Sequence, residues 1–345
     1  MKREKIAFII TKSEIGGAQT WVYELKKTLD DNYDIYLIVS ETGWLSKKFP
    51  NQNIKIIPEI GKLTSITASI KIAKYLKQKS INIVFSNSAN AGIHSRISKL
   101  FYNHKHIYVS HGWSCIYNGG KLKSLFCFIE RALSFLSNSI LCVSNKDSEN
   151  ALKIIKIKPQ KIRVIRNCIT PLEKKNSINK RKKFLFVGRL THPKRPDLFL
   201  DAARKTPNSD FYIVGDGPEK NRLEAQYSTL DNVFFLGEIN NFNDYLNYDI
   251  FILSSDSEGL PMSALEAASA GLPIILSNVG GCNELIITEN NNSNGFTFNN
   301  TVQDLEKKIN SLLTNYEYYY SYANKVSSQF DIANAKDKYL NIIKE

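Results

Sequence analysis

Short apolar runs that are typical of buried β-strands alternate with helical stretches along nearly all of this chain. In the first half, the pattern predicts helices at 18–29 and 66–78 and strands at 5–10, 35–40, 83–86, 106–110 and 140–144. Such alternation favours a parallel sheet with helices on both faces. The ligands of doubly wound sheets bind at the carboxyl ends of the strands.

The alternation breaks at residues 173–183, which are polar, charged and without apolar periodicity. It then resumes, with predicted helices at 197–205, 219–227 and 262–270 and strands at 184–187, 211–214, 233–236, 250–253 and 274–277. A chain of 345 residues is long enough for two domains. We therefore predict an α/β protein of two Rossmann-like, doubly wound domains that face each other across a cleft. The predicted parts are a first domain at 1–167, a linker at 168–183, a second domain at 184–325, and a C-terminal helix at 326–345 that packs back toward the first domain.

Charge is distributed unevenly between the two halves. Residues 1–167 hold 27 Lys and Arg against 11 Asp and Glu, a balance of +16, whereas the remainder of the chain balances to −3. Residues 60–129 contain ten Lys and Arg and no acidic residue. Such an excess of positive charge in one half of the chain suits binding to nucleic acid, an anionic membrane surface or a phosphorylated substrate. The alternative is a solvated basic surface without a partner.

The sequence also indicates where such a protein works. No apolar run reaches the roughly 18 residues of a spanning helix. We interpret the basic and then briefly apolar N-terminus as a buried strand and not as a signal peptide. The five cysteines show no metal-ligand spacing, which favours reduced thiols in the cytoplasm.

Glycines and charged residues gather where the predicted strands end. Gly16 and Gly17 precede a helix, where backbone N–H groups can approach a phosphate; a purely structural glycine pair is the alternative. Arg189 and Lys194 share the loop after the first strand of the second domain, and two cations on such a loop suit a diphosphate. Because Arg195 directly follows Lys194, the pattern leaves open which of the two faces the site.

The segment SSDSEGLPMSALEAASAGLP, residues 254–273, carries the most specific pattern. Pro261 fits the first turn of a helix, so the N–H groups of 259–263 point toward an anion. Glu258 lies before this helix and Glu266 lies on its second turn, and carboxylates accept hydrogen bonds from sugar hydroxyls. A solvated position is the alternative for Glu266, but Ala, Leu and Ser surround it in an apolar helix.

His111 ends another predicted strand, within the sequence SHGW. A single histidine is often a structural core residue. Its position at the ligand-facing end of a strand also fits a catalytic or ligand-contacting role. The residues alone leave both interpretations open.

Taken together, these motifs resemble the retaining glycosyltransferases of family 4, which have the GT-B fold. EGLPMSALEA, with Glu258 and Glu266, resembles the Glu-x7-Glu motif of that family. Further matching motifs follow the family's order: GGAQ at 16–19, SHG at 110–112, VGRLTHPK at 187–194, GDGP at 215–218 and VGGCNE at 279–284. The resemblance covers essentially the whole chain.

The resemblance implies a nucleotide-sugar donor, with UDP as the expected carrier, held mainly by the second domain. Arg189 and Lys194 would bind its diphosphate, Glu258 the hydroxyls of the transferred sugar, and Glu266 the ribose. The other implied contacts are the backbone of Gly259, Leu260, Pro261 and Met262 at the sugar and phosphates, Gly16 and Gly17 at the diphosphate, Gly237 near the base, and His111 at the reaction centre.

The same resemblance implies how the reaction runs and where. The chain contains no Asp-x-Asp pair, so we expect no metal requirement and no other cofactor, with cations neutralising the leaving diphosphate. The expected reaction is transfer of a hexose or N-acetylhexosamine with retention, by front-face displacement. The first domain would bind a glycan or polyprenyl-diphosphate-linked acceptor used in bacterial surface polysaccharide synthesis.

The basic first half then suits an anionic membrane, and we expect a cytoplasmic enzyme that is peripheral on the inner face of the plasma membrane. The segment 121–136, KLKSLFCFIERALSFL, is either an interfacial helix or a core-facing one. Two functional alternatives remain: a GT-B enzyme with a soluble or protein acceptor, and a nucleic-acid-binding protein. We expect no nucleic-acid partner, because binding to nucleic acid would leave Glu258 and Glu266 without a role.

The chain departs from the family pattern at two places. It reads Asn167-Cys168-Ile169-Thr170 where Asn-Gly-Val-Asp is common, and Pro193 stands where an acidic residue commonly precedes the loop lysine. Neither change removes a charged donor ligand.

Overall fold

The computed structural model describes residues 3–117 and 119–345 and divides into two compact units. The first unit runs to Asn167 and also contains Ala335–Glu345, and the second is Cys168–Asn334. Each unit is built around one parallel sheet with helices on its faces. Each unit therefore has the Rossmann-like, doubly wound architecture that the sequence predicts.

The sheet of the first unit has seven parallel strands in the order β3-β2-β1-β4-β5-β6-β7. Their bounds are β1 Glu4–Ile9, β2 Tyr33–Val39, β3 Ile54–Ile56, β4 Ile83–Ser86, β5 Lys105–Ser110, β6 Ser139–Cys142 and β7 Ile162–Val164. The central strands are almost continuously apolar and buried, since helices cover both faces. The strand order reverses between β1 and β4, which is the position where doubly wound sheets bind ligands.

The helices of the first unit follow the strands that they connect. Their bounds are α1 Gly17–Leu29, α2 Ile66–Lys79, α3 Ala89–Ser98, α4 Ser114–Tyr117, α5 Lys123–Leu133 and α6 Asn145–Asn150. A π-helical turn, Ala151–Ile155, continues α6. The predicted helices 18–29 and 66–78 therefore form within one residue of their expected ends.

The second unit repeats the architecture with six parallel strands in the order β10-β9-β8-β11-β12-β15. The strands of this unit are β8 Lys183–Val187, β9 Asp210–Val214, β10 Val233–Gly237, β11 Ile250–Leu253, β12 Ile274–Ser277, the short antiparallel pair β13 Thr288–Glu289 and β14 Asn292–Ser293, and β15 Gly295–Phe298. Here the order reverses between β8 and β11. The loops that follow these two strands are those in which the sequence predicts the cations and the carboxylates.

The remaining helices are α7 Pro196–Lys205, α8 Lys220–Gln226, α9 Met262–Ser269, α10 Val302–Thr314, α11 Tyr316–Val326 and α12 Lys336–Lys344. Of these, α12 lies in the first unit, where Tyr339 packs edge-on against Trp21 at 6.0 Å between ring centroids. In the described part of the chain, every helix is too short or too polar to cross a bilayer.

The segment predicted as a polar linker contains a buried charge. Residues 173–182 form neither helix nor strand, yet Lys175 is only 2% exposed. Its ammonium lies 3.4 Å from the carboxylate of the fully buried Asp249 and donates to the Leu246 carbonyl at 3.2 Å. This pair attaches the segment to the second unit, a contact that the sequence pattern does not reveal.

Candidate functional site

The loop after β8 is held in place by a second loop, the one that follows β9. Gly215 has a φ of +145°, and a Cβ there would lie 1.9 Å from the carbonyl oxygen of Gly188. Only glycine permits this backbone approach at that φ. The Gly215 N–H in turn donates to the Gly237 carbonyl at 2.8 Å. The GDGP turn therefore supports the loop that carries Arg189 and Lys194.

The structure separates the roles of the two adjacent cations in the β8 loop. Lys194 Nζ lies 2.6 Å from Glu258 Oε1. Arg195, in contrast, is paired with Asp197 at 2.7 Å and Asp256 at 3.3 Å. Its φ of +46° places its backbone in the left-handed region, an unfavourable conformation that persists only when the surroundings fix it. Lys194 is thus the cation that reaches the Glu258 carboxylate.

Glu258 is fixed from two directions. Its side chain is 10% exposed, and its Oε1 also accepts a hydrogen bond from Ser255 Oγ at 2.7 Å. Its backbone passes closely by the VGG loop, where a Cβ on Gly280 would lie 1.8 Å from the Glu258 carbonyl oxygen at a φ of +54°. This packing explains the second glycine-rich motif: it lets two loops at the ends of β11 and β12 pass each other.

The helix α9 begins directly after this loop. Pro261 caps it in extended conformation, and Leu260, Pro261 and Met262 are buried. Glu266, one turn further, accepts a hydrogen bond from the Tyr245 hydroxyl at 2.5 Å. Burial, and after it the Glu266 charge, raise the pKa of Tyr245 well above its ordinary value, so this hydroxyl remains a donor. Glu266 is therefore a positioned acceptor and not a solvated helix residue.

Arg189 differs from Lys194 in its surroundings. The side chain is exposed, and no hydrogen-bond or ion-pair partner of its guanidinium is found among residues 3–117 and 119–345. The arrangement at the β8–β11 end therefore combines a free guanidinium, a lysine shared with a carboxylate, and the start of a helix. Together these groups can hold a diphosphate, and the two carboxylates can accept hydrogen bonds from hydroxyls. Within the same described ranges, no three His, Cys, Asp or Glu side chains cluster as a metal site.

Several residues that sequence reasoning missed complete this part of the molecule. Ser255 and Tyr245 orient the two glutamates, and Asn300 donates to the Ser255 carbonyl at 2.7 Å. Ser255 is the only one of these that lies inside a recognised motif. Tyr245 and Asn300 are 21 and 45 residues from their partners, and nothing in their local sequence marks them.

In the first unit, the predicted residues lie at the ends of β1 and β5. Gly16 caps α1 and Gly17 begins it. His111 follows β5, and its Nε2 lies 3.0 Å from Oδ1 of the fully buried Asn87, at the end of β4. Because a carbonyl oxygen only accepts, this contact places the imidazole proton on Nε2 and leaves Nδ1 as an acceptor. Asn87 is a further residue that the sequence did not indicate.

The β4 loop links these groups. Ser88 has a φ of 154°, a conformation that non-glycine residues rarely adopt, and its hydroxyl lies 2.8 Å from Thr11 Oγ1. Trp21 packs edge-on against the His111 ring at 5.2 Å. Backbone strain of this kind concentrates at functional sites. The β1, β4 and β5 ends therefore form one connected polar cluster around His111.

Burial lowers the pKa of His111 from 6.5 to about 3, so its ring is neutral at physiological pH. A neutral ring with a fixed tautomer can accept a hydrogen bond through Nδ1, but it does not supply a positive charge. Any contribution of His111 to chemistry is then a polar contact and not charge neutralisation.

Acidification is expected to destabilise the first unit. Burial lowers the pKa of His104 to about 4 and also lowers those of His94 and His106, in addition to His111. Between these values and 6.5 the unfolded chain binds more protons than the folded one, so stability is fully present above 6.5 and is lost as pH falls toward 4. Each unit of pKa depression corresponds to about 1.4 kcal/mol, which predicts a loss of several kcal/mol.

Urea unfolding at pH 7 and pH 4.5, followed by tryptophan fluorescence, measures this loss, because the tryptophans report on the first unit alone: Trp21, Trp44 and Trp113. An equal midpoint at the two pH values would contradict the prediction.

Each unit matches the model of a known protein family. The family model described as "Glycosyltransferase Family 4" matches residues 15–171, and the model described as "Glycosyl transferases group 1" matches residues 170–328. The two matches together cover nearly all of the described chain and divide close to the boundary between the units.

Two Escherichia coli proteins are similar over most of their length. The O-antigen biosynthesis glycosyltransferase WbnH is 45% identical over 340 residues, covering 99% of each chain. A UDP-Gal:alpha-D-GlcNAc-diphosphoundecaprenol alpha-1,3-galactosyltransferase is 30% identical over 349 aligned positions, covering 90% of this chain and 87% of that one. Among solved structures, Anabaena Alr3699/HepE in complex with UDP-glucose superposes with a TM-score of 0.82 at 18% identity, covering 99% of each chain, which shows a shared fold.

Proposed function

The chain belongs to the family 4 glycosyltransferases of GT-B fold, and on that basis we propose that it transfers a hexose or N-acetylhexosamine from a UDP-sugar to a lipid-linked sugar during O-antigen-type polysaccharide synthesis. The observation that carries this proposal is the donor-type arrangement of Lys194, Glu258 and Arg189 in a chain 45% identical to an O-antigen glycosyltransferase. The activity class follows from the family. The sugar, the acceptor and the stereochemistry are the proposed parts.

The donor diphosphate is assigned to Arg189 and Lys194. A guanidinium offers a fork that suits two phosphate oxygens, and an ammonium adds a point charge. The Lys194 ammonium is also within ion-pair distance of Glu258, at 2.6 Å. We infer that the donor replaces this ion pair: the diphosphate takes Lys194, and Glu258 then accepts hydrogen bonds from hydroxyls of the sugar. Ser255 would keep the carboxylate in place during the exchange, since its hydrogen bond is independent of Lys194.

The nucleoside end of the donor is assigned to Glu266 and the end of β10. Glu266, oriented by Tyr245, suits the two ribose hydroxyls, and the uracil would lie near Gly237. The backbone of Gly259, Leu260, Pro261 and Met262 at the start of α9 would contact the sugar and the phosphates. For the first unit we propose that Gly16 and Gly17 serve the diphosphate and that His111 contacts the transferred sugar as a neutral acceptor.

We further propose that transfer proceeds with retention by front-face displacement and without a metal ion. The bond from the anomeric carbon to the diphosphate breaks while an acceptor oxygen attacks from the same face. A diphosphate oxygen takes the acceptor proton, and Arg189 and Lys194 neutralise the charge that develops on the leaving group. A covalent glycosyl-enzyme trapped on Glu258 would contradict this step.

The acceptor assignment is supported by the second relative, whose name specifies a GlcNAc-diphosphoundecaprenol acceptor. An acceptor of that type is held in a membrane. The net positive charge of the first 167 residues, +16, suits an anionic bilayer and a diphosphate headgroup. We therefore propose that the enzyme works at the inner face of the plasma membrane.

The test is a transfer assay with purified protein and matched acceptors. UDP-hexoses, UDP-N-acetylhexosamines and GDP-sugars are supplied in turn with a short-chain lipid-diphosphate sugar, with the free sugar, and with a glycopeptide. We expect product and free UDP only with a UDP-sugar and the diphosphate-linked acceptor, no change on adding EDTA, and an α-anomeric product by NMR. Product on the free sugar or glycopeptide alone would favour the alternative acceptors, loss of product with EDTA would overturn metal independence, and a β-linkage would overturn retention.

A further inference from the structure

Helix α5 exposes large apolar side chains on its outer side, although its inner side packs Phe126 against the core of the first unit. Cys127 and Glu130 are buried. Leu125 and Phe128 are 51% and 66% exposed, and Phe135, in the turn that follows the helix, is 58% exposed. An ordinary surface helix shows the reverse pattern. The sequence alternatives for 121–136 are therefore decided in part: the inner side of the helix faces the core, whereas the outer apolar stripe of Leu125, Phe128 and Phe135 does not.

A buried ion pair fixes the rotation of this helix. The guanidinium of Arg96, which is fully buried in α3, lies 2.9 Å from Glu130 Oε2. The same guanidinium stacks over the Tyr108 ring at 4.3 Å. If α5 rolled to bury Phe128, Glu130 would leave Arg96 uncompensated inside the protein, which is strongly unfavourable. The buried ion pair therefore keeps Leu125 and Phe128 on the solvent side of the helix.

Further apolar and cationic side chains border the end of the stripe. Lys158 Nζ lies 5.3 Å from the centre of the Phe135 ring, and Lys161 Nζ donates to the Phe135 carbonyl at 3.2 Å. Lys99 Nζ reaches Asn138 Oδ1 at 2.5 Å, which brings the end of α3 beside this turn. The two residues that follow Lys99 are strongly exposed: Leu100 at 68% and Phe101 at 52%.

The charges around the stripe are almost all positive. Lys121, Lys123 and Arg131 on and before α5 are exposed. The half-buried Glu149, in α6, is already paired with Lys146 and Lys153. A second copy of this chain would bring the same cations against one another, so charge disfavours self-association through this face. Apolar side chains within a cationic border are complementary to a bilayer that contains anionic lipid.

We propose that the outer face of α5, with Leu125, Phe128 and Phe135 at its centre, is the surface by which the first unit docks on an anionic phospholipid bilayer. The aromatic and leucine side chains enter the interfacial region, and the bordering lysines contact lipid headgroups. This inference rests on the proposed function in one respect: docking would bring the enzyme to a lipid-linked acceptor. Its evidence is the orientation of α5 and the charges around it.

The experiment is sedimentation with vesicles of phosphatidylcholine alone and with 30% phosphatidylglycerol added, at roughly 50 and 300 mM salt. The test variant is L125S/F128S. The matched control is I66S/I70S, which removes two apolar side chains, 62% and 45% exposed, from the lysine-rich α2 of the same unit. We expect wild type and control to bind the anionic vesicles, and the test variant to bind about tenfold or more weakly.

Each other outcome overturns the proposal in a distinct way. Equal binding by the test variant, or loss in the control, would place docking elsewhere. Failure of wild type to bind either vesicle would exclude docking on such lipids, and a dimer in light scattering that L125S/F128S dissociates would make the face a subunit interface. Transfer to the short-chain acceptor in solution is measured for each variant. If wild type shows no such transfer, the proposed function is refuted. If L125S/F128S retains transfer in solution but does not bind vesicles, the substitutions have removed docking and left catalysis intact.

Discussion

Replacing Lys194 by alanine is expected to lower kcat/KM by about 10²- to 10³-fold, the usual cost of removing one preorganised group that stabilises transition-state charge. The ammonium lies in the β8 loop, 20% exposed, within 2.6 Å of the carboxylate proposed to bind the sugar. In the donor complex it would face the diphosphate, whose negative charge grows as the sugar bond breaks. The loss is therefore expected mainly in kcat, with a smaller rise in KM for the donor.

Arg195→Gln provides the matched control, because it removes the neighbouring cation of the same loop. Its guanidinium is paired with Asp197 and Asp256 and does not contact Glu258, so we expect kcat/KM within a few-fold of wild type. Initial rates over a range of UDP-sugar concentrations give both parameters. If Arg195→Gln lost activity and Lys194→Ala kept it, the assignment of the loop cations would be reversed.

Much of the fold follows from local patterns. The strands of both sheets are short apolar runs of the kind that parallel sheets bury on both faces, and the helices between them carry apolar residues at helical spacing. Both sheets are parallel because each connection is long enough to contain a helix. The loops of the candidate site could also be predicted, because glycines and charged residues gather where the predicted strands end.

The partners of those loops could not be predicted in this way. Tyr245 orients Glu266, and Asn87 orients His111, from 21 and 24 residues away in the chain. Each is a polar residue with an ordinary neighbourhood, and only the folded chain shows what it contacts. The choice between Lys194 and Arg195 was open for the same reason, because it depends on Asp256 and Glu258 from another strand end.

The rotation of α5 about its own axis shows a further limit of sequence patterns. Apolar residues at helical spacing identify an amphipathic helix, but the spacing is identical whether the apolar side faces the core or the solvent. Here the deciding contact joins Glu130 to Arg96, 34 residues earlier. The buried Glu130 carboxylate holds its side of the helix inward, and Leu125 and Phe128 are left outside.

Replacing Glu130 by alanine is expected to destabilise the first unit by about 3–5 kcal/mol, because it leaves the Arg96 guanidinium buried without its counter-charge. Both side chains are inaccessible, at 0% and 8% exposure, so water cannot replace the lost partner without opening the fold. The fluorescence of Trp21, Trp44 and Trp113 follows unfolding of this unit in urea, and the expected result is a lower midpoint.

The double variant R96M/E130M separates the charge effect from the loss of packing. Replacing a whole buried ion pair with apolar side chains of similar size is often neutral or stabilising, so we expect the double variant to recover most of the stability lost in Glu130→Ala. If both variants were equally unstable, the loss of stability would come from lost packing and not from an unpaired buried charge. The double variant also removes the ion pair that holds the Glu130 side of α5 inward. A simultaneous fall in vesicle binding would then show that the buried pair, and not the apolar sequence alone, creates the docking surface.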